Sequence, residues 1–370
     1  MTIKLGTVFS GIGAIEQALK RLDYKHEVIF ACDNGNIDIN VDYDEELRVI
    51  KSLDSIKEKR LYGNSFYDAS RKTNFVEISY KANYTIKDDN FFYDIKLFDG
   101  DDFKDKIDLY VGGSPCQSFS VIGAKAGLDD TRGTLFYDYV RVLSEIQPKV
   151  FIFENVFGLL KHDKGKTWKV IKEVFESLGY SYKYEVVDSR DFGIPQGRRR
   201  IFVVGFKDHD KAEKFSFPKK KDLIFTMQDF LLENAEEGAI VNDNGKLSII
   251  STKGQEIEEK YFLSDKLIKY CLSPGTKNFM HKDAKIDLPI ARALLSTMGN
   301  SHRSSVNNYV TTNGRVRALH PRETHRLMGF PDDYKIVVSK AQAYKQSGNS
   351  IVVDVLIEIL KEINKVMEWE

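Results

Sequence analysis

The sequence predicts an α/β protein built on a doubly wound, mostly parallel sheet, with a second, smaller domain set into the chain. Three observations carry this. Short apolar runs recur between residues 4 and 206 and alternate with stretches whose apolar residues keep helical spacing. Several runs end in residues that can do chemistry, as expected where ligands bind at the carboxyl ends of parallel strands. The alternation fails after Lys207, and a strong helical pattern returns only near the carboxyl terminus.

Composition bounds the rest. Hydrophobic residues at 42% and charged ones at 30% describe an ordinary globular chain, and no apolar run reaches the ~18 residues that would span a bilayer. The amino terminus, MTIKLGTVFSGIG, lacks the sections of a secretory signal, so the expectation is a cytoplasmic protein. Lysine plus arginine equal aspartate plus glutamate at 55 each, which neither suggests nor excludes a polyanionic partner, because such a partner reads a local patch. The basic clusters are Arg198-Arg199-Arg200, Lys219-Lys220-Lys221 and Arg315–Arg317. Cys32, Cys116 and Cys271 are the only cysteines and form no Cys-x-x-Cys pair, so neither a metal site nor a disulfide framework is expected.

Taken in order, residues 4–22 read as strand, turn and helix: an apolar run to Phe9, the turn Ser10-Gly11-Ile12-Gly13-Ala14, then Ile15, Ala18, Leu19 and Leu22 at helical spacing. A glycine-rich turn entering a helix suits a nucleotide-like ligand. Val28–Ala31 ends at Cys32-Asp33, where an acid can bind ribose hydroxyls or cap a helix. Residues 34–93 make an unusually long connection that must be partly ordered, with a helix expected over Glu45–Lys59. The run Ile107–Val111 then leads into Gly112-Gly113-Ser114-Pro115-Cys116-Gln117, a loop that presents a cysteine, the alternative being a buried one.

Helices are expected over Thr134–Ile146 and Thr167–Leu178, with strands at Val150–Val156, Tyr182–Val187 and Arg199–Phe206. Residues 207–310 show mixed short segments and polar turns. Pro321 and Gly329 bracket a short helix, and Gln346-Ser347-Gly348-Asn349-Ser350 leads a final helix through Met367. These boundaries divide the chain into a discontinuous domain, 1–206 with 340–370, and a domain with its hinge at 207–339.

A thiol, a carboxyl group and a guanidinium (Cys116, Glu154, Arg200) each lie at the edge of an apolar run, and their order, from Phe9-Ser10-Gly11 to Gly348-Asn349-Ser350, resembles that of the DNA (cytosine-5)-methyltransferases of bacterial restriction–modification systems. The resemblance covers most of the chain. It implies the S-adenosylmethionine-dependent methyltransferase fold, with Phe9, Gly11, Gly13, Asp33, Asp94, Ile95, Pro115, Leu135 and Asn349 at the cofactor. It further implies a monomer acting on double-stranded DNA, without a metal, and makes 207–310 the target-recognition region. Thr7, Ala14 and Ala293-Leu294 depart from the family pattern, where Asp, Gly and Thr-Leu are usual.

The chemistry implied needs these residue types. Carbon 5 of cytosine is too weak a nucleophile to take a methyl group until a nucleophile adds at carbon 6, and a thiolate, that of Cys116, adds there reversibly. Glu154 would stabilise charge developing at ring nitrogen 3, Arg200 would hold the ring carbonyl, and Arg198, grouped with them, would bind phosphate or brace the loop. A base stacked in a duplex is out of reach, so the target must be flipped out. Competing readings are weaker. The chain contains no Pro-Pro, so a site for methylating an exocyclic amine is missing. An RNA cytosine methyltransferase shares the fold, a nicotinamide oxidoreductase leaves Cys116 and Glu154 idle, and a catalytically silent DNA-binding module leaves both unexplained.

Overall fold

A computed structural model describes residues 1–114, 135–233, 249–250, 254–273, 285–300 and 302–369. Contacts divide the chain into two compact units, one of Met1–Val187, Arg199–Pro218 and Ile359–Glu370, the other of Asp188–Arg198 and Lys219–Glu358.

The first unit is built on a seven-stranded sheet. In chain order its elements are β1 (Ile3–Val8), α1 (Ala14–Arg21), β2 (His26–Cys32), α2 (Tyr43–Lys51), α3 (Ile56–Ala69), α4 (Phe75–Asn83), β3 (Phe91–Phe92), β4 (Leu109–Gly112), α5 (Leu135–Ile146), β5 (Val150–Val156), α6 (Lys166–Ser177) and β6 (Ser181–Asp188). After β7 (Gln196–Gly197), which belongs to the second unit, come β8 (Arg199–Phe206) and α7 (His209–Lys214). The strand order is β3-β2-β1-β4-β5-β8-β6. β3, β2, β1, β4 and β5 run parallel and β8 runs antiparallel to β5. Order reverses between β1 and β4, the switch point at which such sheets open a ligand crevice.

Central strands read as apolar runs because both faces are covered: Leu109 to Val111 and Val150 to Phe153 are all buried. Aromatic rings fill the layer between sheet and helices, with Phe98 stacked on Phe103 and Phe151 on Phe175.

The second unit has little regular structure among its described residues. Gln196 and Gly197 of β7 pair in parallel with β9 (Ala291–Arg292), and β10 (Tyr309–Thr312) forms a hairpin with β11 (Arg315–Ala318). Asn313 and Gly314 make its turn at φ 50° and 76°, the positive pair that a tight two-residue hairpin demands. Helices α8 (Asp265–Leu272), α9 (Pro321–Arg326) and α10 (Lys340–Asn349) complete the unit, and α11 (Val353–Met367) runs from it into the first.

Several expectations change. The helix expected over Glu45–Lys59 is two helices, because Ser52 ends α2 and the Ser55 hydroxyl caps α3 by accepting from the Glu58 N–H. Residues 346–349, expected to lead the last helix, are the end of α10, and the chain turns extended at Ser350 before α11. The domain boundaries also differ from those expected. Residues 188–198 and 340–358 group with the second unit because Gln196 and Arg198 are bonded into its backbone. Residues 207–218 stay with the first, where Phe215 packs on Phe206.

Candidate active site

Strand register sets the site. Val8 of β1 pairs with Cys32 of β2 and with Gly112 of β4, Cys32 pairs with Phe92 of β3, and Gly112 pairs with Phe153 of β5. These strand ends therefore form one row. The residues at or just beyond this row are Phe9–Gly13, Asp33, Asp94–Ile95, Gly113–Ser114 and Glu154, which include Phe9, Gly11, Gly13, Asp33, Asp94, Ile95 and Glu154 of those singled out from the sequence.

On the β1–β3 side the groups are held by main chain. Phe9, Gly11 and Gly13 all have positive φ, at 52°, 53° and 77°. A Cβ on Gly13 would stand 2.2 Å from the Tyr84 ring, so this position accepts glycine alone. Asp33 is half-buried, and its two oxygens accept from the Gly11 and Gly35 N–H groups, each at 2.9 Å. It thus ties two turns together and caps no helix. The Asp94 carboxylate accepts from the Tyr67 hydroxyl and from the Lys96 N–H at 2.9 Å. Burial pushes the Asp94 carboxyl above the usual aspartate range, against the pull of those hydrogen bonds. Ile95 is buried and its carbonyl accepts from Arg141.

On the β4–β5 side the groups meet through side chains. Arg200 of β8 lies opposite Val156 of β5, one pleat along from Glu154, and its Nε sits 3.1 Å from Glu154 Oε1. Both side chains keep some exposure, 13% for Glu154 and 20% for Arg200, so the pair faces accessible space. Gly113 lets Glu154 approach, since a Cβ there would come within 2.9 Å of its Oε2. The Asn155 amide donates to the Ser114 carbonyl at 2.8 Å and fixes the chain just after β4. Pro115 and Cys116 lie outside the described residues, as do Gln117 through Thr134. Leu135 opens α5 and packs against the core.

The structure brings Glu154 and Arg200 together and gives Arg198 a different setting. The Arg198 guanidinium is buried and donates to the carbonyls of Leu294, Gly348 and Ser350 at 2.8–3.0 Å, bracing the second unit. Asn349 is the exposed last residue of α10 in that unit.

A family model described as C-5 cytosine-specific DNA methylase matches residues 60–365. The chain belongs to that family. The type II methyltransferase M.HhaI of Haemophilus parahaemolyticus is 36% identical to it over 267 residues, which is 71% of this chain and 77% of the relative. M.HpaII of Haemophilus parainfluenzae is 34% identical over 333 residues, 84% and 85% of the two chains. Among solved structures, the Dnmt2 methyltransferase of S. pombe superposes with a TM-score of 0.65 over 99% of each chain at 16% identity, a likeness that speaks for the fold. The protein is a DNA (cytosine-5)-methyltransferase of the restriction–modification type.

Several residues that shape the site of this methyltransferase were not singled out as site residues in its sequence. Thr7, where the family usually has aspartate, joins the Ser10 hydroxyl at 2.7 Å and donates to Glu16 at 3.3 Å. Glu16 is fully buried, and desolvation raises its carboxyl to about 7. Tyr67, Asn74, Tyr80 and Tyr84 come from the long segment 34–93, in which no motif was read. A two-way bond pattern also distinguishes Gln196, which donates to the Leu327 carbonyl at 2.7 Å and accepts from the Leu294 N–H at 2.9 Å, holding the second unit's interior. Of the basic clusters, Lys220 and Lys221 pair with Asp191 and Glu358, and Arg317 is buried against Glu233 and Glu323. Among the described residues no helix is long and apolar enough to cross a membrane.

Proposed function

We propose that the methyltransferase modifies a cytosine flipped out of double-stranded DNA through a covalent Cys116 adduct, with S-adenosylmethionine bound at the ends of β1–β3. The observation that carries this is the row of strand ends, in which a nucleoside-type turn and acid share one edge with a Glu154–Arg200 pair and with Gly113–Ser114, the residues that precede Pro115-Cys116 in the sequence.

The cofactor fits the residues present. Asp33 offers acceptor-only oxygens suited to a ribose diol, and the Gly11–Gly13 turn, held at positive φ, brings side-chain-free main chain beside it. Phe9, Asp94, Ile95, Pro115, Leu135 and Asn349 complete the proposed set. When bound, S-adenosylmethionine supplies an electrophilic methyl group.

The chain's own residues do the rest. The Cys116 thiolate adds to carbon 6, forming a C–S bond and moving an electron pair toward carbon 5, which becomes nucleophilic. Glu154, carrying a proton, donates it to ring nitrogen 3, where negative charge develops, and Arg200, charged at any working pH, orients Glu154 and holds the ring carbonyl. After carbon 5 is methylated a base takes up its proton, the C–S bond breaks with its electron pair returning to sulfur, and the aromatic ring and the Cys116 thiolate are restored. Flipping costs about a few kcal/mol in lost stacking, which contacts elsewhere on the DNA must offset.

Sequence choice belongs, on this reading, to residues 207–310, since the strand-end groups can process any cytosine they receive. Base-resolution mapping of DNA methylated by the purified protein tests the function: 5-methylcytosine within one defined sequence is expected, and product at nitrogen 4 or on RNA alone would refute it. A chimera carrying the 207–310 segment of a relative with another specificity should change which cytosines are modified.

A further inference from the structure

The connection between Asp33 and Asp94 is far longer than a β–α–β crossover needs, and its side chains converge on the strand-end row. Asn74 performs two tasks with one amide. Its Oδ1 caps α4 by accepting from the Val76 and Glu77 N–H groups at 3.1 Å, while its Nδ2 donates to the Asp33 carbonyl at 2.8 Å. The Tyr84 hydroxyl donates to the Gly13 carbonyl at 2.9 Å, and its ring covers the Gly13 α-carbon. Tyr80 donates to Glu16 behind the turn, and Tyr67 to Asp94. Asn74, Tyr80 and Tyr67 are all buried, so these bonds form away from competing water.

We propose that Asn74 and Tyr84 are positioning residues of the methyl-donor site, which makes segment 34–93 part of the cofactor machinery. The inference rests on reading the β1–β3 ends as the S-adenosylmethionine site. The peptide after Asp33 sets where its carboxylate points, and the Asn74 amide fixes that peptide. The Gly13 peptide sits in the left-handed region, and the Tyr84 hydroxyl fixes its carbonyl. Neither side chain need touch the ligand. Loosening either peptide spreads the acceptors over several orientations, and binding must then select the competent one.

Asn74→Asp and Tyr84→Phe isolate the claim. Aspartate keeps the helix cap and replaces the amide donor with a charged acceptor facing the Asp33 carbonyl, and phenylalanine keeps the ring and removes only the hydroxyl. Titration of each purified variant with S-adenosylhomocysteine, well below its melting temperature, should show Kd raised about 3–10-fold, the loss of one buried hydrogen bond. KM for S-adenosylmethionine should rise in step, while kcat at saturating cofactor and KM for DNA stay within about twofold, the pattern of lost ground-state binding. Wild-type Kd in both variants, alongside weakened binding by Asp33→Ala, would overturn the proposal and leave the cofactor site standing. If Asp33→Ala also binds normally, the cofactor reading fails and the proposal falls with it.

Discussion

The two ends of the strand-end row are built on opposite plans. Around β1–β3, the turn and Asp33 are fixed by main-chain bonds and buttressed by Asn74 and Tyr84. At β4 and β5, the focal groups are two side chains, Glu154 and Arg200, facing each other at 3.1 Å with some exposure retained. A ligand that must be held the same way through every turnover is served by a rigid main-chain cradle. Groups that respond to charge developing on a substrate need side chains with pre-set direction and room for the ring. The difference predicts that mutations on the first side are read in cofactor affinity and those on the second in rate.

Glu154→Gln should therefore give the largest effect among conservative changes outside the nucleophile. It keeps shape and hydrogen-bonding reach but loses the carboxylate, and general acid–base groups typically contribute about 10²–10⁴-fold to rate. S-adenosylhomocysteine affinity should stay near the wild-type value. Steady-state turnover on duplex DNA close to wild type would reduce Glu154 to the partner of Arg200 and break the comparison.

A smaller effect sharpens it from the other side. Glu16 lies fully buried beneath the Gly11–Gly13 turn, with its carboxyl raised to about 7 from 4.5. Because the folded value lies above the unfolded one, this group's contribution to stability is fully present below about pH 4.5 and is lost as pH rises through about 7. Glu16→Gln cannot ionise. Relative to wild type its melting temperature should gain a few degrees, roughly, between pH 5 and pH 8. Buried His325 and half-buried His320, whose values fall to about 4 through desolvation, oppose the trend in the absolute curves, since their contribution grows as pH rises from about 4 to 6.5. They cancel in the difference between variant and wild type. A difference that does not change with pH would remove Glu16 as a titrating element.

Much of this row was readable from the chain because its physics is local. A strand buried on both faces must be apolar, so the first polar residues at the end of the apolar run, such as Asp33 and Glu154, stand out and fall at the ligand edge. The long segment was opaque for the opposite reason. Tyr67, Tyr80 and Tyr84 gain meaning from partners far along the chain, and no spacing in the sequence says that a tyrosine at 84 will cover a glycine at 13. Arg198 and Arg200 look alike in sequence, yet burial separates them: one spends its guanidinium on three carbonyls and the other faces a carboxylate. The second unit was hard to divide because strands of two to four residues are too short to show a period.

The account turns on Cys116, and one measurement addresses it directly. DNA carrying 5-fluorocytosine at the target position cannot lose its carbon 5 substituent after methylation, so the C–S bond cannot break. Incubated with this DNA and S-adenosylmethionine, the wild-type protein should form a complex that survives denaturant, with the bond mapping by peptide mass to Cys116, and Cys116→Ser should form none while Cys32→Ser and Cys271→Ser behave as wild type. An adduct formed by Cys116→Ser, or a wild-type adduct mapping to another residue, would contradict the account.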